Sequence, residues 1–163
     1  MSFRLLLPAN WIKNLSTLGP LGFWGKAPGT NGSIAGLLWY SMVFHFLTPG
    51  MYVLLLAISI TFAIAICEEA EILFAKKDPS FVILDEFVAM PVCFIGLKGA
   101  MLHHPMWIFM LTGLLLFRFF DILKPLGIKK LQDLKGGLGV VIDDIAAAIL
   151  TCLCLHVVSY FLM

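Results

Sequence analysis

Charge is scarce in this chain. Of its 163 residues only 13% are Asp, Glu, Lys or Arg, while 61% are hydrophobic and the mean hydropathy is +0.99. Soluble domains carry about 25% charged and about 45–50% apolar residues. A chain this short also leaves much of its surface in contact with solvent. A soluble monomer is therefore excluded, and so is disorder, which needs a polar sequence. The net charge of +1 gives no field that would attract nucleic acid. The length fits one domain, expected to run over 1–163.

Other absences narrow the chemistry. Cys67, Cys93, Cys152 and Cys154 stand in apolar runs with no Cys-x-x-Cys pair, which predicts buried, inert thiols rather than a disulfide framework or a zinc site. No Cys is followed six residues later by Arg, so the phosphate loop of thiol-based phosphatases is missing. No Walker A loop is present either. After Arg4, the Leu5-Leu6-Leu7 run is cut by Pro8. It is too short for the apolar part of a secretory signal peptide, and no small-residue cleavage site follows.

What is abundant is apolar sequence in long runs. Five stretches, at about 33–48, 51–67, 81–97, 105–123 and 139–163, approach the roughly 20 residues a helix needs to cross a bilayer. The expected fold is therefore an all-α integral membrane bundle of about five transmembrane helices, over 33–163. Residues 1–32 are apolar but broken by Pro8, Gly19, Pro20 and Gly22, and read as an interfacial or re-entrant segment with Trp11 and Trp24 near the headgroups. With five spans, Arg4, Lys13, Lys26, Lys76, Lys77, Lys124, Lys129, Lys130 and Lys135 fall on one side and only Lys98 on the other. The positive-inside rule makes the first side cytoplasmic, with the N-terminus, and puts Met163 on the far side.

The few charges inside the spans carry the argument further. Asp85, Glu86, Arg118, Asp121, Asp143 and Asp144 lie in apolar stretches, and each would cost about 2.5–3.5 kcal/mol at the centre of a lipid-exposed helix. All six sit near the cytoplasmic ends of the last three spans, at one depth. Terminal charges often only anchor a helix, but anchoring accounts poorly for two adjacent acid pairs. Crowded carboxylates need a compensating cation. Oxygen ligands without His or Cys suit Mg²⁺ or Mn²⁺. Arg118, Asp121 and Lys124 recur along the end of one helix, where the bases can snorkel as anchors or hold a phosphate. The turn at 26–33, from Lys26 through Pro28-Gly29-Thr30 to Ser33, feeds a helix N-terminus whose N–H groups favour an anion. Gly136-Gly137-x-Gly139 is a second flexible turn. His45, His103, His104 and His156 lie in the spans or on the far side, away from this depth. Glu68, Glu69 and Glu71 read as a solvated helix end.

Four blocks in order resemble the phosphatidylglycerophosphatase A family. They are Pro28-Gly29-Thr30-x-Gly32-Ser33, then Asp85-Glu86-Phe87, then Phe117-Arg118-x-x-Asp121-x-x-Lys124-Pro125, then Gly136-Gly137-x-Gly139-x-x-x-Asp143-Asp144. Asp78-Pro79 also resembles a family feature. The resemblance covers about residues 19–150. Ser80 and Ala89 stand where glycine is frequent in the family, and neither change removes a chemical group. The resemblance implies a magnesium-dependent enzyme of the bacterial inner membrane that hydrolyses phosphatidylglycerophosphate to phosphatidylglycerol and phosphate. On this reading Asp85, Glu86, Asp121, Asp143 and Asp144 are the catalytic and Mg²⁺-holding residues. Lys26, Thr30, Ser33, Arg118 and Lys124 hold the substrate phosphate. The partners are the lipid bilayer and a phospholipid substrate, with the site cytoplasmic and the C-terminus periplasmic. Direct attack by water and an aspartyl-phosphate intermediate both remain open, as do the headgroup preference and the oligomeric state. The rival reading is a cation transporter using the same acids.

Overall fold

Proline and glycine punctuate the chain, and helices form between them. The structure, a computed structural model, describes residues 7–162. Expectations for Arg4 and Met163, and for most of the Leu5-Leu6-Leu7 run, lie outside the described residues. Among the described residues seven α-helices follow one another: α1 (Ala9–Ser16), α2 (Pro28–Met42), α3 (Pro49–Phe74), α4 (Leu84–Ala89), α5 (Ala100–His103), α6 (Met106–Leu123) and α7 (Gly137–Leu162). Short 3-10 turns occupy Leu21–Phe23, Phe44–Phe46, Met90–Phe94 and Ile128–Asp133. No strand occurs among the described residues, so the fold is all-α as expected.

Three helices among the described residues, α3, α6 and α7, are long and apolar enough to cross a membrane. They coincide with the stretches expected at 51–67, 105–123 and 139–163. The other two stretches fold into shorter pieces. The run at 33–48 is met by α2, whose 15 residues reach about 22 Å. It stops where Val43 leaves helical geometry at φ −123° and ψ −67°. The run at 81–97 is met by the six residues of α4 and the 3-10 turn after it, where Pro91 removes a backbone donor. Neither is a regular helix matching a hydrocarbon layer of about 30 Å.

The long helices are bounded as their sequences dictate. The Thr48 hydroxyl accepts the Met51 N–H at 3.5 Å at the start of α3, next to Pro49. α3 ends on left-handed Ala75, and α6 ends on left-handed Lys124 before Pro125. Because α3 continues to Phe74, Glu68, Glu69 and Glu71 sit on the helix itself and are half-buried rather than fully solvated. Glu71 Oε1 accepts the Asp78 N–H at 2.8 Å and ties down the following loop.

α7 is the central element, packed against α3, α4 and α6. Its Val141, Ala147, Ala148 and Leu155 are fully buried. The outward residues Leu54 and Ile58 of α3, Leu111 and Leu115 of α6, and Leu153 and Val157 of α7 are exposed. That continuous apolar skin is what lipid, and not water, accommodates. Buried hydroxyls are satisfied within their own helices: Ser59 donates to Leu55 O at 2.6 Å and Thr151 to Ala147 O at 2.9 Å. The four cysteines are free, with Cys67 and Cys93 buried.

The packing of α2 on α4 positions the polar residues. Gly29, Gly32, Ser33, Gly36 and Tyr40 form the buried face of α2, a helical stripe of small residues ending in one ring. A Cβ at Gly32 would stand 2.7 Å from Ile83 O and 2.9 Å from Ile83 Cβ. The two backbones therefore touch directly, as small residues permit between membrane helices. This close contact sets the height of Asp85 and Glu86 against the start of α2.

Candidate active site

Asp85 and Glu86 occupy the first turn of α4, Arg118 and Asp121 the last turns of α6, and Asp143 and Asp144 the second turn of α7. All three helix ends meet at one end of the bundle, around a cavity of about 300 Å³. Its lining includes Asp78, Asp85, Glu86, Asp121, Asp143 and Asp144, with Arg118 and Lys124 as the cations. Gly29 of α2 forms part of the wall. Asp85, Asp121, Asp143 and Asp144 are buried.

The two cations are shared among three acids. Arg118 Nη1 donates to Asp121 Oδ2 at 2.7 Å and lies 3.7 Å from Glu86 Oε1. Lys124 Nζ lies 3.7 Å from Asp121 Oδ1 and pairs with Asp143 Oδ2. The left-handed turn at Lys124 ends α6 on the residue whose ammonium reaches across to α7. Burial alone would lower the pKa of that ammonium; hydrogen bonding to Asp143, and the charges of Asp143, Asp144 and Asp121, outweigh burial and raise it.

The remaining polar atoms are unspent. Asp85 Oδ1, Glu86 Oε2, Asp143 Oδ1 and Asp144 Oδ2 are buried without a hydrogen-bond partner, and so is Arg118 Nε. Such atoms are costly unless a ligand or ion satisfies them. Asp85, Glu86 and Asp144 each bring one carboxylate oxygen to within 4.8 Å of the other two. Three hard oxygen donors that close, with neither His nor Cys in the lining, fit a magnesium-type ion and not zinc.

The structure thus brings together Asp85, Glu86, Asp121, Asp143, Asp144, Arg118 and Lys124. It leaves the other three sequence candidates off the cavity lining. Lys26 is exposed in the turn before α2. Thr30 and Asn31 both direct their N–H groups to Ala27 O, so these donors are spent on the turn. Ser33 is fully buried, and its hydroxyl donates to Gly29 O at 2.8 Å. Two residues with polar side chains that were not site candidates also line the cavity, Asp78 and Ser80. The signal for Asp78 was its Asp-Pro pair just ahead of the acid cluster.

Gly29 is where α2 meets the cations. A Cβ there would meet Glu86 Oε1 and stand 2.9 and 3.0 Å from the two terminal nitrogens of Arg118. Gly29→Ala therefore displaces the Glu86 carboxylate first and the guanidinium with it, rather than the backbone. Misplacing a positioning group by about 1 Å can cost about 100-fold. Gly29→Ala is expected to lower kcat/KM about 10- to 100-fold with little change in melting temperature. Equal kcat/KM in the variant would show that the contact has no bearing on the site.

An apolar-skinned helical bundle with carboxylates and cations gathered at one end defines a membrane protein that handles a polar group at the edge of an apolar layer. Comparison with known proteins makes this specific. Residues 14–159 match the family described as Phosphatidylglycerophosphatase A. The chain is 30% identical to the Haemophilus influenzae protein named phosphatidylglycerophosphatase A, over 94% of this chain and 98% of that one. It is 28% identical to the Escherichia coli protein of the same name, over 82% of this chain and 74% of that one. A Bacteroides thetaiotaomicron protein provisionally named a phosphatidylinositol-3-phosphatase is 34% identical, over 78% of this chain and 80% of that one. No solved structure matches. The chain belongs to the phosphatidylglycerophosphatase A family and is a phosphoric monoester hydrolase.

Proposed function

We propose that this protein hydrolyses the terminal phosphate monoester of phosphatidylglycerophosphate, releasing phosphate and leaving phosphatidylglycerol. The observation that carries the reading is the trio Asp85, Glu86 and Asp144, with unspent oxygens, beside Arg118 and Lys124. The names of two relatives supply the substrate. Asp85, Glu86 and Asp144, joined by Asp121 and Asp143, would hold Mg²⁺. Bound there, the ion would offset carboxylate charge and polarise the phosphoryl group. The chain's own residues do the rest. Arg118 presents a planar fork to two phosphoryl oxygens and Lys124 a point charge to a third. A carboxylate oxygen aimed into the cavity orients the attacking water and takes one of its protons; the water's oxygen bonds to phosphorus as the bond from phosphorus to the glycerol oxygen breaks, and the carboxyl group passes that proton to the departing glycerol oxygen. Lys26, Thr30 and Ser33 would have to act from outside the lining.

The proposed setting is the bacterial inner membrane, with the carboxylate end and the N-terminus cytoplasmic and the C-terminus periplasmic. Lys76 and Lys77 follow α3, and Lys129, Lys130 and Lys135 lie between α6 and α7, at the carboxylate end, as the positive-inside rule requires. Residues 1–163 act as a single domain, 1–32 as its interfacial part. α2, α3, α4 with its 3-10 turn, α6 and α7 lead alternately away from and back to the carboxylate end, which supports five passes even though two of them are short. A cation transporter would spread its acids through the membrane depth, and here they gather at one end.

Phosphate release by purified protein in mixed micelles tests the reading. Phosphatidylglycerophosphate, phosphatidate, phosphatidylinositol 3-phosphate and glycerol 3-phosphate are compared. The first is expected to be preferred by at least about tenfold in kcat/KM, which is about 1.4 kcal/mol of discrimination. Preference for another lipid phosphate would replace the substrate and keep the phosphatase. No release from any of them would overturn the proposal.

A further inference from the structure

We propose that the end of the bundle opposite the carboxylates holds a second ligand site, for a phospholipid with an anionic headgroup. A cavity of about 530 Å³ lies there, where the C-terminal end of α2, the Phe44–Phe46 turn, the start of α3 and the exit of the Met90–Phe94 turn meet. Gly29 and Tyr40, on the same face of α2, mark the two ends, about 16 Å apart along the helix axis. The volume falls within the range of about 300–1,000 Å³ typical of small-ligand sites. It is too small for a partner helix, whose diameter with side chains is about 10 Å.

Five rings, Tyr40, Phe44, Phe46, Tyr52 and Phe94, line this space. Such a wall takes an acyl chain and offers nothing to a polar metabolite. The outer edge is formed by Phe46 and Val53, 72% and 62% exposed, so the cavity continues into the apolar skin and opens to lipid. Polar groups remain in the lining, and the charged one among them, Lys98, selects for an anion. His45 Nδ1 is buried with no partner. The Tyr40 hydroxyl donates to Met101 Sδ at 3.3 Å, a weak acceptor that it can exchange for a better one. The Tyr52 hydroxyl is spent on Pro91 O. Lys98 also lines the cavity and is the sole Lys or Arg between Lys77 and Arg118 in the sequence. An apolar chain joined to a negatively charged, oxygen-rich head satisfies the rings, His45 and Lys98 together, which is the chemistry of an anionic phospholipid. In the headgroup, a phosphate oxygen meets the Lys98 ammonium and accepts from His45.

The site rests on none of the residues assigned to phosphate release, so the two readings fail separately. The probe is phosphatidylserine, which carries no phosphate monoester, compared with phosphatidylcholine. Full-length protein is taken from nanodiscs of each lipid and examined by native mass spectrometry. Wild type is expected to retain one phosphatidylserine per chain and no phosphatidylcholine. Lys98→Gln should lower occupancy about fivefold, the effect of one lysine on an anionic lipid. Val53→Trp, at the exposed edge, should fill the entrance and abolish retention; unchanged gel filtration and helix content show that both variants fold. Asp85→Asn should retain lipid like the wild type. Equal retention of both lipids, wild-type retention in both Lys98→Gln and Val53→Trp, or loss in Asp85→Asn would each overturn the proposal.

Discussion

Asp144→Asn and Asp85→Asn are each expected to lower turnover at least about 100-fold, about 2.7 kcal/mol of transition-state stabilisation, without loss of stability. The two halves of this expectation come from the same geometry. Neither carboxylate forms an ion pair with a Lys or Arg among the described residues. Both are buried, with Asp144 Oδ2 and Asp85 Oδ1 unpartnered. An amide of the same shape removes a buried charge that repels its neighbours, and folding does not depend on that charge. Melting temperature should therefore hold or rise while activity falls, as at sites where function is kept at the expense of stability. Asp143→Asn behaves differently, because it also breaks the pair with Lys124 and leaves a half-buried ammonium short of a partner. Turnover and thermal unfolding measured on the same preparations check this. Turnover within about threefold of wild type in folded Asp144→Asn or Asp85→Asn would remove that residue from the site.

The convergence of the acids was legible because it depends on counting turns. Asp121 near the end of one long helix and Asp143-Asp144 near the start of the next must meet at one depth if both helices cross the same layer, and they do. α3, α6 and α7 were legible for a related reason: their apolar runs are unbroken and bounded by Pro49, Pro105 and Gly136-Gly137. The lengths of α2 and α4 were not. Apolar content at 33–48 and 81–97 says nothing of where the backbone leaves the helix, and the departure of Val43 and the 3-10 turn around Pro91 depend on packing. Side-chain direction in the turn at 26–33 was equally out of reach. The Ser33 hydroxyl bonds back to Gly29 O, and a sequence cannot distinguish that from a hydroxyl offered to a ligand. Asp78 and Ser80 lie in a loop, where no periodicity marks which side chains turn inward.

The stripe of small residues on α2 joins these parts. Gly32 fixes the backbone of α2 against Ile83, one residue ahead of α4. Gly29, one turn earlier, leaves room for the Arg118 guanidinium to lie against Glu86. Fold and site are thus adjusted by the same helix face. The glycines in the Pro28-to-Ser33 block serve the placement of carboxylates and guanidinium more than the offering of backbone N–H groups, since Thr30 and Asn31 already donate to Ala27.

Removing divalent cations is expected to abolish phosphate release, by at least about 100-fold, and Mg²⁺ to restore it. The cavity presents six carboxylates against two cations, and a phosphate monoester would add further negative charge. Arg118 and Lys124 are already engaged by Glu86, Asp121 and Asp143, so they cannot alone neutralise an incoming phosphate. The oxygen-only lining makes Mn²⁺ the expected substitute. Zn²⁺, which prefers nitrogen and sulfur, should serve poorly. Chelator, add-back of each ion, and helix content by circular dichroism are measured on one preparation, so that loss of the reaction is separated from loss of the fold. Full activity in excess chelator would require the surplus carboxylates to be protonated instead, with Arg118 and Lys124 as the sole phosphate ligands.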